Sequence, residues 1–505
     1  MNNRFKPQMT TLAPANLISQ KSICAAFAST ADTALEYASA SELSEMMASN
    51  ELTAVALIEH LTQRISDMNE QGPAIRAIIE LNPQALDVAK AMDEERAQGQ
   101  LRGPLHGVPV LLKDNFDTAD SMQTSAGSLA LVGDPAAQDA FVVKQLRDAG
   151  AILLGKTNMS EMSGVRDMSL PFGWSGRGGQ GKNPHLLSAS TSGSSSGPAA
   201  AVAAGFAPLA IGTETNGSIT GPASANGVVG VKPTLGLFSR SGVVPITRLQ
   251  DTPGTLTRTV RDAALLFNIL QGTDAADAAT ADAPSGIDYT ALLTTDALNG
   301  KRIGYPLAYE GANGGPLTPS LEMLGAMATL EEQGAALVPL TIRFPNMDRY
   351  FDGLMGGMKH EFPEYLASRS GLLVNSLQEL IDFNSRNPGE EQYGQKMLEA
   401  INAVAISHPE ASALIAEISA NFKDAIDQQI NEHNLDGLMA EADGYSQFSA
   451  AAAGCPAITV PSGMSDGGVP TSVFFYGKQW SEPQLFAMAY SYEQASQELQ
   501  HPAFK

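Results

Sequence analysis

A chain of 505 residues, 43% hydrophobic and with a formal charge of −23, can bury a large core but lacks the basic footprint of sequence-independent nucleic-acid binding. Its two cysteines, Cys24 and Cys455, exclude a disulfide scaffold and a zinc site built mainly on cysteine. No run of about 18 apolar residues marks a membrane span, and the seven scattered histidines form no HExxH motif.

Residues 1–35 read as a tail or an export segment. Arg4, Lys6 and Lys21 precede SICAAFAST, and Ala26-Phe27-Ala28 has the small-residue form of a cleavage site. The apolar run is short and the basic region long for such a signal. The reading favours the cytoplasm, with periplasmic or secreted export as the alternative. One continuous domain is expected over 36–505.

SELSEMMASNELTAVALIEHLTQRI (41–65) keeps a helical apolar period and predicts two amphipathic helices, the second capped by Thr53. GVPVLLKDNFDT (107–118) predicts a buried strand with Lys113 at its end. FVVKQLRDAGAILLGKT predicts a helix to about Asp148, a turn at Gly150 and a strand. Residues 173–198 are loop-like. A helix at AAAVAAG, a strand at PLAIGTE, the turn TNGS and a strand at VVGVKPT follow. Residues 270–440 are mostly helical in pattern. ITVPSG (458–463) and TSVFFYG (471–477) predict strands, and Leu485–Gln494 a closing helix. This alternation implies one large α/β domain, its mixed, mostly parallel central sheet covered by helices on both faces.

Two stretches mimic familiar motifs. GRGGQGKN (176–183) nearly matches a phosphate loop, but Asn183 offers magnesium no hydroxyl and Pro184 stands where the helix should start. GSSSG (193–197) matches a nucleophile elbow with Ser195 as nucleophile. The elbow needs a strand before it, and HLLSAST is a poor one. It also needs a downstream histidine, for which His360, His408, His433 and His501 are available.

Other stretches combine into a different chemistry. Serine amidolysis needs a nucleophile, a base and donors for the oxyanion. A lysine serves as base if burial keeps it neutral, and Lys113 at the end of an apolar strand is placed for that. The plain alternative is a Lys113–Asp114 ion pair. In GTETNGSITGPAS (212–224) the turn holds Gly217, and Asn216 tolerates positive φ. Successive N–H groups on such a turn can cradle an anion, with Ser218 on the same turn.

Together, GVPVLLKDNFDT, GSSSGPAAAVAAG, GTETNGSITGPA and GVVGVKPTLGLFSRSGVVP resemble the amidase signature family. The likeness runs from about 40 to 265, its signature core at about 105–265, and resumes at GCPAITVPSG and WSEPQLFAMAYSYEQAS. The resemblance implies an amidase domain with a Ser-Ser-Lys triad: Lys113 as base, Ser194 as bridging serine on a cis peptide, and Ser218 as nucleophile. It implies backbone oxyanion donors at Thr215, Asn216, Gly217 and Ser218, support from Ser195, an acyl-enzyme, and no metal or organic cofactor. Ser196 is then a small turn residue.

Two positions depart from the pattern. Asn216 stands where many members have glycine, and Thr220 where many have arginine. The latter weakens any carboxylate-recognition role. The acidic EAD (441–443) falls where an apolar strand end is expected. FGWSGRGGQGKNPH, MKHEFPEYL (358–366) and WSEP look most like the peptide amidases, which release ammonia from C-terminal peptide amides. The alternatives are a broad aliphatic or aryl amidase, a fatty-acid amide hydrolase, a degenerate binding module, and the glutaminase component of an amidotransferase. Partners expected are a small-molecule or peptide amide, with no nucleic acid or membrane, in a monomer or homodimer.

Overall fold

The computed structural model describes residues 35–312, 315–387, 393–442 and 444–505. The tail expectation therefore falls, apart from Leu35, outside the described residues, as do Cys24 and Asp443.

Helices Ala40–Ala48 and Ala54–Met68 form where the period required. Thr53 Oγ1 accepts the Ala56 N–H at 3.1 Å. Leu57, Ile58, Leu61 and Ile65 fall on one buried stripe, the arrangement an amphipathic helix needs to join a core.

The strands are β1 (Ile78–Leu81), β2 (Pro109–Lys113), β3 (Ile152–Thr157), the short hairpin β4 (Trp174–Ser175) and β5 (Gly179–Gln180), β6 (Leu209–Glu214), β7 (Val229–Lys232), β8 (Thr252–Thr257), β9 (Arg302–Glu310), β10 (Ala336–Arg343), β11 (Gly437–Glu441), β12 (Ala457–Met464) and β13 (Pro470–Tyr476). All but the hairpin lie in one 11-stranded sheet of order β1-β3-β2-β6-β8-β7-β12-β13-β11-β9-β10. Helices flank it, and the whole is a single large α/β domain.

The sheet is mixed, as expected, but the balance of strand senses differs from the expectation of a mostly parallel one. Parallel pairs occur only in the flanks, β3-β2-β6 and β11-β9-β10; the other neighbours are antiparallel. The helix–strand alternation that enforces parallel pairing covers only the flanks. In the middle, β12 returns directly into β13, and β8 inserts antiparallel between β6 and β7.

The region 270–440 also differs from its helical expectation, because β9 and β10 extend the sheet there. Each carries a proline, Pro306 and Pro339, and proline argues against a strand. Helices Leu321–Glu332, Tyr350–Ala367, Leu377–Arg386, Lys396–Ala403 and His408–Glu432 lie in the same region. The helices beginning at Tyr350, Leu377 and Lys396 pack Met358, Phe362, Leu380 and Ile401 against Met159 and Met162, beside the end of β3. No described helix is long and apolar enough to cross a membrane.

Helix Ser196–Ala203 is buried at all eight positions. Its alanines permit this, since small side chains let a helix lie flat on a sheet. Gly197 makes the closest approach: a Cβ there would lie 2.1 Å from the Asn158 carbonyl oxygen.

Candidate active site

β2 and β6 are parallel neighbours, with Leu112 opposite Ile211. Their carboxyl ends therefore deliver Lys113 and the Thr213–Glu214 pair to the same edge of the sheet. Ligand sites in α/β sheets gather at such ends.

Lys113 is fully buried. Its Nζ lies 2.8 Å from Ser194 Oγ, 2.8 Å from Thr213 Oγ1 and 3.4 Å from the Thr213 carbonyl oxygen. Burial pushes the ammonium down from its ordinary 10.5 to about 7, against the pull of the Asp251 and Glu214 carboxylates. A neutral amine has two N–H donors and one lone pair. Thr213 offers two acceptors and Ser194 a hydroxyl that can donate, so the surroundings suit the neutral form. Asp114 is not the partner of Lys113. It accepts instead from Ser125 Oγ, from the Gly127 N–H at 3.1 Å and from Arg177 Nη1 at 3.1 Å.

Ser194 follows a cis peptide bond from Gly193. Ser195 is buried and its hydroxyl is committed, donating to the Thr213 carbonyl at 3.0 Å and accepting the Thr213 N–H at 3.2 Å. Its backbone N–H donates to the Ser218 carbonyl at 3.1 Å, which ties the serine-rich turn to the TNGS turn. Ser196 begins the buried helix.

The TNGS turn leaves β6 at Glu214. The Glu214 carboxylate accepts the Ile219 and Thr220 N–H groups at 2.8 and 2.9 Å and the Thr220 hydroxyl at 3.1 Å. This caps the short helix Thr220–Ala225 and fixes the far end of the turn. Gly217 has φ 72°, a conformation glycine adopts without penalty. Among the described residues, the N–H groups of Asn216, Gly217 and Ser218 donate to no protein acceptor. Ser218 is 9% exposed, at the edge of burial. The turn thus presents a hydroxyl and unpaired backbone donors together, beside a lysine held near neutrality.

Several supporting residues carried no signal of their own in the sequence. Gln250 Nε2 donates to the Thr215 carbonyl and to the Tyr350 hydroxyl, both at 2.6 Å. Asp251 accepts the Thr215 hydroxyl. Asn115 Nδ2 donates to Thr213 Oγ1 at 3.0 Å. Asn216 Nδ2 reaches the Tyr350 hydroxyl at 3.5 Å. Thr213 and Glu214 lie inside the GTETNGS stretch, but nothing local says where their side chains go. Tyr350 arrives from a helix more than a hundred residues away.

The decoy motifs are occupied by other work. In GRGGQGKN, Lys182 Nζ donates to the Pro73 carbonyl at 3.1 Å, and Asn183 Nδ2 to the Ser190 and Ala225 carbonyls at 3.1 and 2.7 Å. The histidines considered for the elbow lie against other groups. His360 faces the Ile406 carbonyl at 3.1 Å and His408 the Glu361 carboxylate at 3.2 Å. His433 ends helix His408–Glu432, and His501 stacks on Tyr37. Glu441, in the unexpectedly acidic strand end, accepts the Ser320 N–H at 2.7 Å.

This fold is that of an amide hydrolase, and comparison with known proteins carries the assignment. The Amidase family profile matches residues 56–486, and the chain belongs to that family, the amidase signature enzymes. A probable amidase of Arabidopsis thaliana is 38% identical over 472 residues, covering 90% of this chain and 89% of the relative. The crystal structure of native peptide amidase from Stenotrophomonas maltophilia superposes with a TM-score of 0.86 at 40% identity, covering 95% of this chain and 99% of that one. A glutamyl-tRNA(Gln) amidotransferase component of Moorella thermoacetica is 31% identical over 489 residues, covering 92% of this chain and 97% of the relative.

Proposed function

We propose that this amidase releases ammonia from C-terminal peptide amides through a Ser218 acyl-enzyme, with Ser194 and Lys113 as its proton relay. The observation that carries the reading is the buried 2.8 Å contact between Lys113 Nζ and Ser194 Oγ, beside the Ser218 turn. Ser218 Oγ attacks the amide carbonyl. Its proton passes to Ser194 Oγ as the Ser194 proton passes to Lys113 Nζ. Backbone N–H groups of Thr215, Asn216, Gly217 and Ser218 hold the oxyanion. The proton returns by the same route to the leaving nitrogen, which departs as ammonia. Water then attacks the ester and releases the peptide acid. Ser195 holds the relay in place through Thr213.

The peptide preference draws on the 40% identity to the peptide amidase and on Thr220, two positions after Ser218. Thr220 Oγ1 contacts Glu214 and, at 3.3 Å, Gln447 Nε2. It offers no cation for the free carboxylate of a small dicarboxylic monoamide or of glutamine.

Ammonia release from an amidated dipeptide, benzamide, a fatty amide and glutamine tests the reading, with Ser218→Ala beside wild type. Release from the peptide amide alone, lost in the variant, is expected. Activity only on simple amides moves the substrate to the aliphatic and aryl class, and glutamine turnover to the glutaminase class. Activity retained in Ser218→Ala overturns the nucleophile.

A further inference from the structure

The antiparallel pairing of β6 with β8 sets Glu214 opposite Thr252. The residues just beyond that pair, Thr215 after β6 and Asp251 before β8, meet across the same seam: the Asp251 carboxyl accepts the Thr215 hydroxyl. Its other oxygen accepts the Ile246 and Thr247 N–H groups at 2.8 and 2.9 Å. Three donors converge on a buried carboxyl, and no arginine or lysine ion-pairs with it among the described residues. An unpaired buried carboxylate is costly where a neutral side chain could serve. The charge at this place therefore points to a use.

We infer that Asp251 is a positioning residue of the amide-hydrolysing site: its carboxylate fastens the oxyanion turn through Thr215 and supplies the negative charge that balances Lys113 when the lysine takes the serine proton. The inference rests on the Ser218–Ser194–Lys113 reading and adds a residue outside that relay. Asp251 donates and accepts no proton during turnover. The Ser218 proton still travels through Ser194 to Lys113 and back to the leaving nitrogen.

Electrostatics support the geometry. Asp251 is the foremost charge acting on the Lys113 ammonium, ahead of Glu214. Burial raises the Asp251 carboxyl to about 7; the Thr215 hydroxyl opposes the rise, Glu361 adds to it, and the Ile246 and Thr247 N–H groups oppose it. The titratable and charged groups around the pair are Lys113 on β2, Glu214 at the end of β6, and Tyr350 and Glu361 on helix Tyr350–Ala367, with His408 against Glu361. Arg248, in the same loop as Asp251, faces Glu364. The competent state has Lys113 neutral and Asp251 ionised, so acid removes it by two protonations rather than one.

Sulfonylation of Ser218 by phenylmethanesulfonyl fluoride, with fluoride leaving, followed by intact mass between about pH 5 and 9, reads this state without any amide substrate. In wild type the acid limb of log rate against pH should steepen toward a slope of about two. Asp251→Asn leaves one ionisation and removes the charge that favours the ammonium. Its limb should have a slope of about one and lie lower by roughly one pH unit. Thr215→Val removes the hydroxyl that holds the carboxyl ionised, so its limb should move to higher pH, and Thr215→Ser should restore it. Opposite displacements in the two variants are what a merely structural role cannot produce.

An Asp251→Asn limb that coincides with wild type, with only the plateau lowered, overturns the inference. Should Asp251→Asn fail to fold by circular dichroism, the Thr215 pair decides, and an unmoved Thr215→Val limb overturns it. Labelling that persists in Ser218→Ala removes the nucleophile reading, and this inference with it. Labelling confined to Ser218 with unmoved variant limbs removes only the inference.

Discussion

The backbone N–H of Ser195 donates to the carbonyl of Ser218 at 3.1 Å, while the Ser195 hydroxyl is shared between the N–H and carbonyl of Thr213. One serine thus joins the turn carrying Ser194 to the turn carrying Ser218, and both to the strand that flanks Lys113.

That arrangement separates two serines that the local motif confuses. Ser195→Ala keeps the backbone link and loses one buried hydroxyl with two partners, a change worth about 1–3 kcal/mol. It should lower the denaturation midpoint and slow ammonia release from an amidated dipeptide by no more than about a hundredfold, as one uncharged hydrogen-bond partner allows. Ser218→Ala should leave essentially no enzymatic release. If Ser195→Ala is the dead variant and Ser218→Ala the active one, the roles are exchanged.

As the proposed base, Lys113 should set a pH limit on activity and a pH signature on stability. In that role the amine must be neutral, so log kcat/KM should fall as pH drops below about 7. Between about 7 and 10.5 the unfolded lysine holds a proton that the folded one has lost. The unfolded state then binds more protons, so stability rises with pH through that window. Urea unfolding of wild type against Lys113→Met should show wild type gaining on the variant from pH 7 to 10, by a few kcal/mol in order of magnitude. A pH-independent difference refutes a depressed lysine. Lys113→Ala should cut kcat by about 10²–10⁴, the range of a lost general base.

Glu214 is the anchor of the Thr215–Ser218 turn. Glu214→Ala strands the Ile219 and Thr220 N–H groups and the Thr220 hydroxyl. Each buried donor left unmade costs about 1–3 kcal/mol, less what water recovers. Chemical denaturation should show a loss of at least about 2 kcal/mol. In the proposed mechanism that turn holds the oxyanion, so loosening it should lower kcat more than it raises KM, because such donors act on the transition state. A loss confined to KM would place Glu214 in ground-state binding instead.

Close backbone approach behind the serines is testable at Gly212. A Cβ there would lie 2.7 Å from Ser195 Oγ and 2.9 Å from Leu256 Cδ1. Gly212→Ala should displace the Ser195 hydroxyl from Thr213, costing about 1–3 kcal/mol as overpacking does. Calorimetry should show the lowered Tm, and turnover should fall with it. Wild-type activity and Tm together would mean that the contact is not rigid.

Local chemistry made much of this protein legible from its residues. The apolar run PVLL ending in Lys113, the glycine in TNGS, the Thr53 cap and the 41–65 helical period are each dictated by interactions within a few residues, and each element formed where expected. The amidase signature resemblance also stood in the sequence, because its stretches are short and contiguous.

What tertiary structure decided were the matters that depend on distance through space. Whether Lys113 pairs with its neighbour Asp114 or with Ser194, 81 positions away, is settled by which strand lies beside β2. The sense of the central strands followed from connections that carry no helix, and β9 and β10 were hidden by prolines that a wide sheet tolerates. Asp251, Gln250 and Tyr350 reach the Thr215–Ser218 turn only because β8 pairs with β6 and a distant helix brings Tyr350 to Gln250 and Asn216. A side chain's type is written in the chain, but its burial and its partners, and hence the proton affinity of Lys113, exist only after folding.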